Sequence, residues 1–222
     1  KYNAQQTCCG QPAFNAGFWG ESKDVCTKFV QDFEGADYIV SPSASCAGFV
    51  RNNYGKLFEN NAFQSPAKKV TNRMFELSEF LVKILNVTDL GAKFEGKATY
   101  HDSCAGLREC NIKQEPRTLL SKVAGLELVE MNEVETCCGF GGSFAVKYDT
   151  ISVSMADQKI ENIMINLQQN IVFIFFCQLR CCTTELYTFK TWMKKYLGLY
   201  IVVSFQKKID FFNSIVLEKS WN

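Results

Sequence analysis

Apolar positions along the chain switch between two periods. In "TNRMFELSEFLVKIL", Met74, Leu77, Leu81, Ile84 and Leu85 recur at three- and four-residue intervals and predict one face of a helix. Val153, Ala156, Ile160, Ile163, Met164 and Leu167 do the same over 150–168, and "FWGESKDVCTKFVQDF" predicts a third helix. Three shorter runs, "DYIVSPS" (37–43), "KATYHDS" (97–103) and "LELVEM" (126–131), are β-rich and end at or near turn or cysteine residues, which predicts buried strands. Strands alternating with helices of this length imply an α/β fold with mainly parallel sheets flanked by helices, in which sites collect at the carboxyl ends of strands. Cys46 and Cys104 fall just past two such ends. Glu76, Glu79 and Lys83, on the helix expected around Phe75, are read as a solvated face supported by an i, i+4 pair.

Composition narrows what such a fold is for. The 222 residues are 47% hydrophobic and 21% charged, enough to bury one large core or two small ones, and the formal net charge is +1. A nearly balanced charge gives no broad electrostatic attraction to nucleic acid or to an anionic membrane. The most apolar run, "NIVFIFFC" at 170–177, is too short to span a bilayer, and "KYNAQQTCC" has no signal-peptide core, so a soluble protein without a membrane span is expected.

The cysteines change the picture most. There are eleven, an odd number and below the density of small disulfide scaffolds. Cys8 and Cys9 are neighbours, as are Cys137 and Cys138. Adjacent Cα atoms stand about 3.8 Å apart whereas a disulfide wants roughly 4.4–6.8 Å, so neither pair bridges itself comfortably. Two vicinal thiolates suit instead two iron atoms of one cluster or two faces of one metal site, a use that favours a reducing, cytoplasmic compartment.

The pairs belong to a repeat. "CCGQPAFNA" at Cys8 matches "CCGFGGSFA" at Cys137, and "SASCAG" at Cys46 echoes "HDSCAG" at Cys104. Residues 11–45 separate Gly10 from Cys46, and residues 105–136 separate Cys104 from Cys137. The order is cysteine, long gap, Cys-Cys-Gly, long gap, cysteine, used twice. On that pattern the halves are 1–92 and 93–222; the first is expected to lack its opening cysteine, and the second to depart from the pattern after about residue 165.

The segments "TCCGQPAFNAG", "ADYIVSPSASCAGFVR", "YHDSCAGLRE" and "TCCGFGGSFAVKY" resemble the cysteine-rich CCG-domain proteins over about residues 4–165. Within that family they are similar to the lactate-utilization protein A group, akin to the glycolate oxidase iron-sulfur subunit and to the CCG-bearing subunit of heterodisulfide reductase. The resemblance implies two related α/β halves and iron-sulfur clusters, of 4Fe-4S type, held at the Cys-Cys-Gly motifs. It also implies a role in oxidising lactate, a small 2-hydroxy acid, to pyruvate with other subunits of a complex. Residue by residue it makes Cys8, Cys9 and Cys46 ligands of the first half, and Cys104, Cys137 and Cys138 ligands of the second. Cys177, 37 residues (140–176) beyond Gly139, is the implied closing ligand, with Cys181 and Cys182 as competitors. Gly10 and Gly139 let the backbone turn tightly enough for amide N–H groups to face cluster sulfurs. The chain departs from the pattern at Phe49, where a Cys-x-x-Cys motif would place its second cysteine after Cys46, and in the segment beyond Ile165.

Other residues carry blander readings. Cys26, on an apolar helix face, and Cys110 are expected to be packing residues. His101, the single histidine, is expected to be hydrogen-bonded structure at a strand end, three residues before Cys104. "GFGGS" at 139–143 is not a nucleotide loop, because Phe144 stands in the place of the third fingerprint glycine and no lysine follows. One histidine, without a carboxylate pair or hydroxyl nucleophile motif, gives hydrolysis little support. The expected function is an iron-sulfur electron-transfer subunit. Its rivals are a heterodisulfide-reductase-like catalytic subunit, a structural zinc module, and an inactive fragment. Zinc modules use closely spaced cysteine pairs, which the sequence lacks.

Overall fold

The computed structural model describes residues 5–165 and the strand Ile171–Ile174. It is α/β, with every strand pair parallel among the described residues, and it divides into two compact units. The first comprises 1–80 together with 104–112, and the second 81–103 together with 113–222.

The first unit opens with the Cys-Cys-Gly loop, the five-residue helix α1 (Gln11–Asn15) and the long α2 (Trp19–Phe33). Strand β1 (Ile39–Ser41) leads into α3 (Ala44–Leu57), whose first turn is capped by the Ser43 hydroxyl accepting the Cys46 N–H. Helix α4 (Gln64–Asn72) then returns the chain to β2 (Met74–Glu76), which pairs in parallel with β1 in the register Ile39↔Met74. A helical crossover between two parallel strands is the arrangement the alternating pattern predicts. The core is aromatic: Phe49, Tyr54 and Phe58 are fully buried, and the Tyr54 ring meets those of Phe29, Phe49 and Phe58 edge-on at 5.8–5.9 Å.

One predicted helix is replaced. Over 71–85 the chain forms β2, then the short α5 (Leu77–Glu79) and a π-helical turn, Phe80–Ile84. The Glu76 carboxylate accepts the N–H groups of Ser78 and Glu79 and so starts a new helix where the pattern continued an old one. Glu76 and Glu79 are buried rather than solvated, Glu79 pairs with Arg51 at 2.8 Å, and Lys83 pairs with Glu115.

The second unit is built on β3 (Lys93–Tyr100), the centre of a three-stranded sheet. Helix α6 (Gln114–Leu120) leads to β4 (Ala124–Leu128) on one side of β3. The five-residue α7 (Ser143–Lys147) and the long α8 (Asp149–Ile165) precede β5 (Ile171–Ile174) on the other. The apolar face expected of α8 is buried only in part: Ile163 is buried and Ile160 packs beside it against Met131, but Val153 is exposed. Cys177, Cys181, Cys182 and Leu167 lie outside the described residues.

Candidate metal centre

The first Cys-Cys-Gly loop is held from below by neutral groups. The Cys9 carbonyl accepts the Tyr54 hydroxyl at 2.8 Å and the Cys26 thiol at 3.4 Å, while the Gly10 carbonyl accepts the Ser22 hydroxyl at 3.0 Å. Gly10 has φ +92°, and a Cβ there would come within 2.7 Å of the Cys26 sulfur, so both backbone angle and space require glycine. This geometry gathers three of the predicted cysteines. The Cys9 thiol donates to Cys46 across 3.4 Å and also bonds Cys8.

Proton affinity follows from those contacts. The hydrogen bond to Cys46 keeps the proton on Cys9, with the Cys8 contact and burial adding to the effect. The same bond draws the Cys46 thiol below its ordinary value, against burial and with help from the Ser43 hydroxyl. Cys46 is therefore the readier thiolate of the pair. Burial also pushes Cys26 and Tyr54 up. The Gln11 backbone works in the opposite direction, toward the ionised form of Cys9.

The second loop has the same turn and a different support. Gly139, at φ +79°, packs against the start of α8: a Cβ there would overlap the Ser152 carbonyl and lie 2.9 Å from the Met155 Cβ. The Ser152 hydroxyl donates to the Gly139 carbonyl at 2.8 Å. Beneath Cys137 and Cys138 the groups are charged. Lys159, only 3% exposed, donates to the carbonyls of Glu133 (2.6 Å) and Val134 (3.0 Å), and Val134 also meets His101 Nδ1 at 3.2 Å. Burial lowers the Lys159 proton affinity, while Cys138, Asp102, Cys137 and Glu133 raise it in turn. Behind it the buried Asp102 receives both guanidinium nitrogens of Arg117 at 2.8 and 3.1 Å, and Arg117 also reaches Glu130 and lies over the Tyr100 ring. Burial opposes the Arg117 charge, but hydrogen bonds to Glu130 and Asp102 outweigh it and raise its proton affinity.

Cys104 caps the π-helical turn Ala105–Glu109 and belongs to the first unit, whereas Cys137 and Cys138 belong to the second. Cys26 and Cys110 are buried, and the Cys110 thiol donates to the Ala44 carbonyl at 3.2 Å. His101 is buried at the end of β3. The eight described cysteines form no disulfide with one another. Among the described residues no three His, Cys, Asp or Glu side chains converge as a single-ion site does. Cluster ligands stand on different iron atoms, and the first loop offers what a cluster takes, soft thiol donors close together.

The profile of a cysteine-rich domain named CCG matches residues 1–51 and 98–184, more than half of the chain. The chain belongs to the CCG cysteine-rich domain family. The second matched stretch of this CCG protein runs past residue 165 and takes in Cys177, Cys181 and Cys182. Three curated relatives, each called lactate utilization protein A, are similar to it. That of Geobacillus sp. (strain WCH70) is 46% identical over 159 residues, 71% of this chain. That of Anoxybacillus flavithermus (strain DSM 21510 / WK1) is 46% identical over 157 residues, 70% of the chain, and that of Exiguobacterium sp. (strain ATCC BAA-1283 / AT1b) is 45% identical over 163, or 72%. The match spans 66% of each relative's own length. Among the described residues no helix is long and apolar enough to cross a membrane.

Sequence reasoning missed the supports of this CCG site: Ser22, Ser152, Tyr54, Lys159 and the Asp102–Arg117 pair. The serines had a readable signal, since each follows its motif glycine at nearly the same distance, Gly10 to Ser22 and Gly139 to Ser152. The others bond residues too distant in sequence to suggest themselves.

Proposed function

We propose that the chain is an iron-sulfur electron-transfer subunit of a complex that oxidises a 2-hydroxy acid, with L-lactate as the substrate and pyruvate as the product. Its cluster ligands would be Cys8, Cys9 and Cys46 in the first half and Cys104, Cys137 and Cys138 in the second, with Cys177 closing the second set. The observation that carries the reading is the Cys-Cys-Gly loop used twice, each time on a left-handed glycine packed against the helix that follows. The clustering of Cys8, Cys9 and Cys46 supports it further. The name that the relatives share supports the choice of lactate. A bound cluster supplies one-electron transfer, for which neither an acid-base pair nor a nucleophile is needed. The chain's own part is to present thiolates, with Cys46 ionising more readily than Cys9, and to keep water from Cys9.

The spacing of Cys9 and Cys46 favours one other reading. Two thiolates on one tetrahedral ion with bonds of about 2.3 Å stand roughly 3.8 Å apart. The observed 3.4 Å is close to that. Iron, acid-labile sulfide and zinc measured on the same anaerobically purified sample separate the two. Matched iron and sulfide, lost in the Cys137→Ser/Cys138→Ser and Cys8→Ser/Cys9→Ser variants, is the expected result. Zinc alone would replace the cluster reading by a structural module, and no metal would overturn both.

A further inference from the structure

We propose that Ser22 and Ser152 are a matched pair of positioning residues, each turning the glycine peptide of its Cys-Cys-Gly loop so that the peptide's N–H faces the cluster thiolates. This rests on the cluster reading above.

The two contacts are alike to a degree their surroundings are not. Each loop is followed by a five-residue helix, α1 or α7, and then by a long helix, α2 or α8. Each serine is the fourth residue of its long helix, and its N–H bonds the carbonyl of the residue before that helix, Phe18 or Tyr148, at 2.9 Å. Each hydroxyl then donates to the glycine carbonyl of its motif, at 3.0 Å for Ser22 and 2.8 Å for Ser152. A serine inside a helix ordinarily bonds back to a carbonyl of its own preceding turn or faces water. Neither of these does. The helices share little else, since one begins "WGESKD" and the other "DTISVS". What they have in common is the loop they face.

Peptide geometry supplies the purpose. No described peptide bond is cis, so the Gly10 carbonyl and the Gln11 N–H point in opposite directions from one plane. Drawing the carbonyl toward Ser22 therefore aims the Gln11 N–H away from α2. The same construction on Gly139 turns the Phe140 N–H away from α8. Hydrogen bonds to sulfur stabilise thiolate and set the potential of a cluster bound to it. The Gly10 carbonyl keeps the Phe14 N–H at 3.1 Å as a second donor, so loss of Ser22 removes an orienting bond without leaving the carbonyl unpaired.

The test compares the full chain with its Ser22→Ala, Ser22→Thr, Ser152→Ala and Ser152→Thr variants, purified anaerobically. The alanine variants are expected to release iron to a chelator about five- to tenfold faster, the size of one lost hydrogen bond, and to show shifted electron paramagnetic resonance signals. The threonine variants, which keep the hydroxyl, are expected to restore both. Wild-type release rates and spectra in both alanine variants would overturn the inference while leaving the cluster reading intact. If the wild-type chain holds no iron or sulfide, the cluster reading fails on its own terms. Hydrogen exchange at the Gln11 and Phe140 amides of the metal-free protein then decides the serines: about fivefold faster exchange in the alanine variants, reversed by threonine, supports the positioning role, and unchanged exchange overturns it.

Discussion

The two Cys-Cys-Gly loops share a turn and differ in what lies beneath it. Under the first are a phenol, a thiol and a ring of aromatic side chains, all neutral. Under the second are a buried ammonium and a buried carboxylate clasped by a guanidinium. The turn is the part that a thiol-bound cofactor would touch, and it is repeated. The support meets only the rest of the protein, and it is free to vary so long as every buried polar group finds a partner. A neutral cradle depends on packing and single hydrogen bonds, whereas an ionic one depends on charges that are costly to strand.

That contrast can be broken most forcefully at Arg117. Arg117→Met leaves the Asp102 carboxylate, 2% exposed, without its partner, and is expected to cost roughly 3 kcal/mol or more of stability, measured by urea unfolding. A loss under 1 kcal/mol would show that the second loop does not rely on its charges.

Next is an alkaline limb that belongs to the first unit. Burial pushes the Cys110 thiol from its ordinary 9.0 up to about 12. The folded state therefore keeps this proton after the unfolded chain has lost it. Stability is full below about pH 9 and falls as pH rises toward 12, by about 3 kcal/mol at pH 11. Cys110→Val removes the titrating group and is expected to flatten that limb; an unchanged slope would assign it to other groups.

The smallest effect sharpens the neutral side. Tyr54→Phe keeps the ring packing and removes the hydroxyl that holds the Cys9 carbonyl, which retains the Cys26 thiol as a donor. A loss of about 1 kcal/mol is expected in the same unfolding measurement. A loss as large as that of Arg117→Met would erase the distinction between the two supports.

Much of the α/β architecture was legible because strand and helix periods alternate cleanly, and the two Cys-Cys-Gly turns because their motif is repeated. The segment 71–85 was not. Met74 and Leu77 fit a helical face, but Met74, Phe75 and Glu76 also fit a strand, and the deciding partner is β1, more than thirty residues away. Glu79 looked solvated because Arg51, its partner, stands 28 residues earlier in the sequence. Lys159 is hidden for a related reason: its partners are carbonyls, which every residue possesses and no pattern advertises.

The first cysteine pair has a use that needs no cofactor. Cys8 is exposed while its neighbour Cys9 is buried at 4%. A thiol-alkylating reagent therefore meets two thiols one residue apart, one at the surface and one shut beneath it. The first records how fast the reagent works and the second how often that part of the molecule opens. Their ratio in a single mass spectrum makes the pair an internal stopwatch for breathing of the first unit, calibrated within every molecule that is counted.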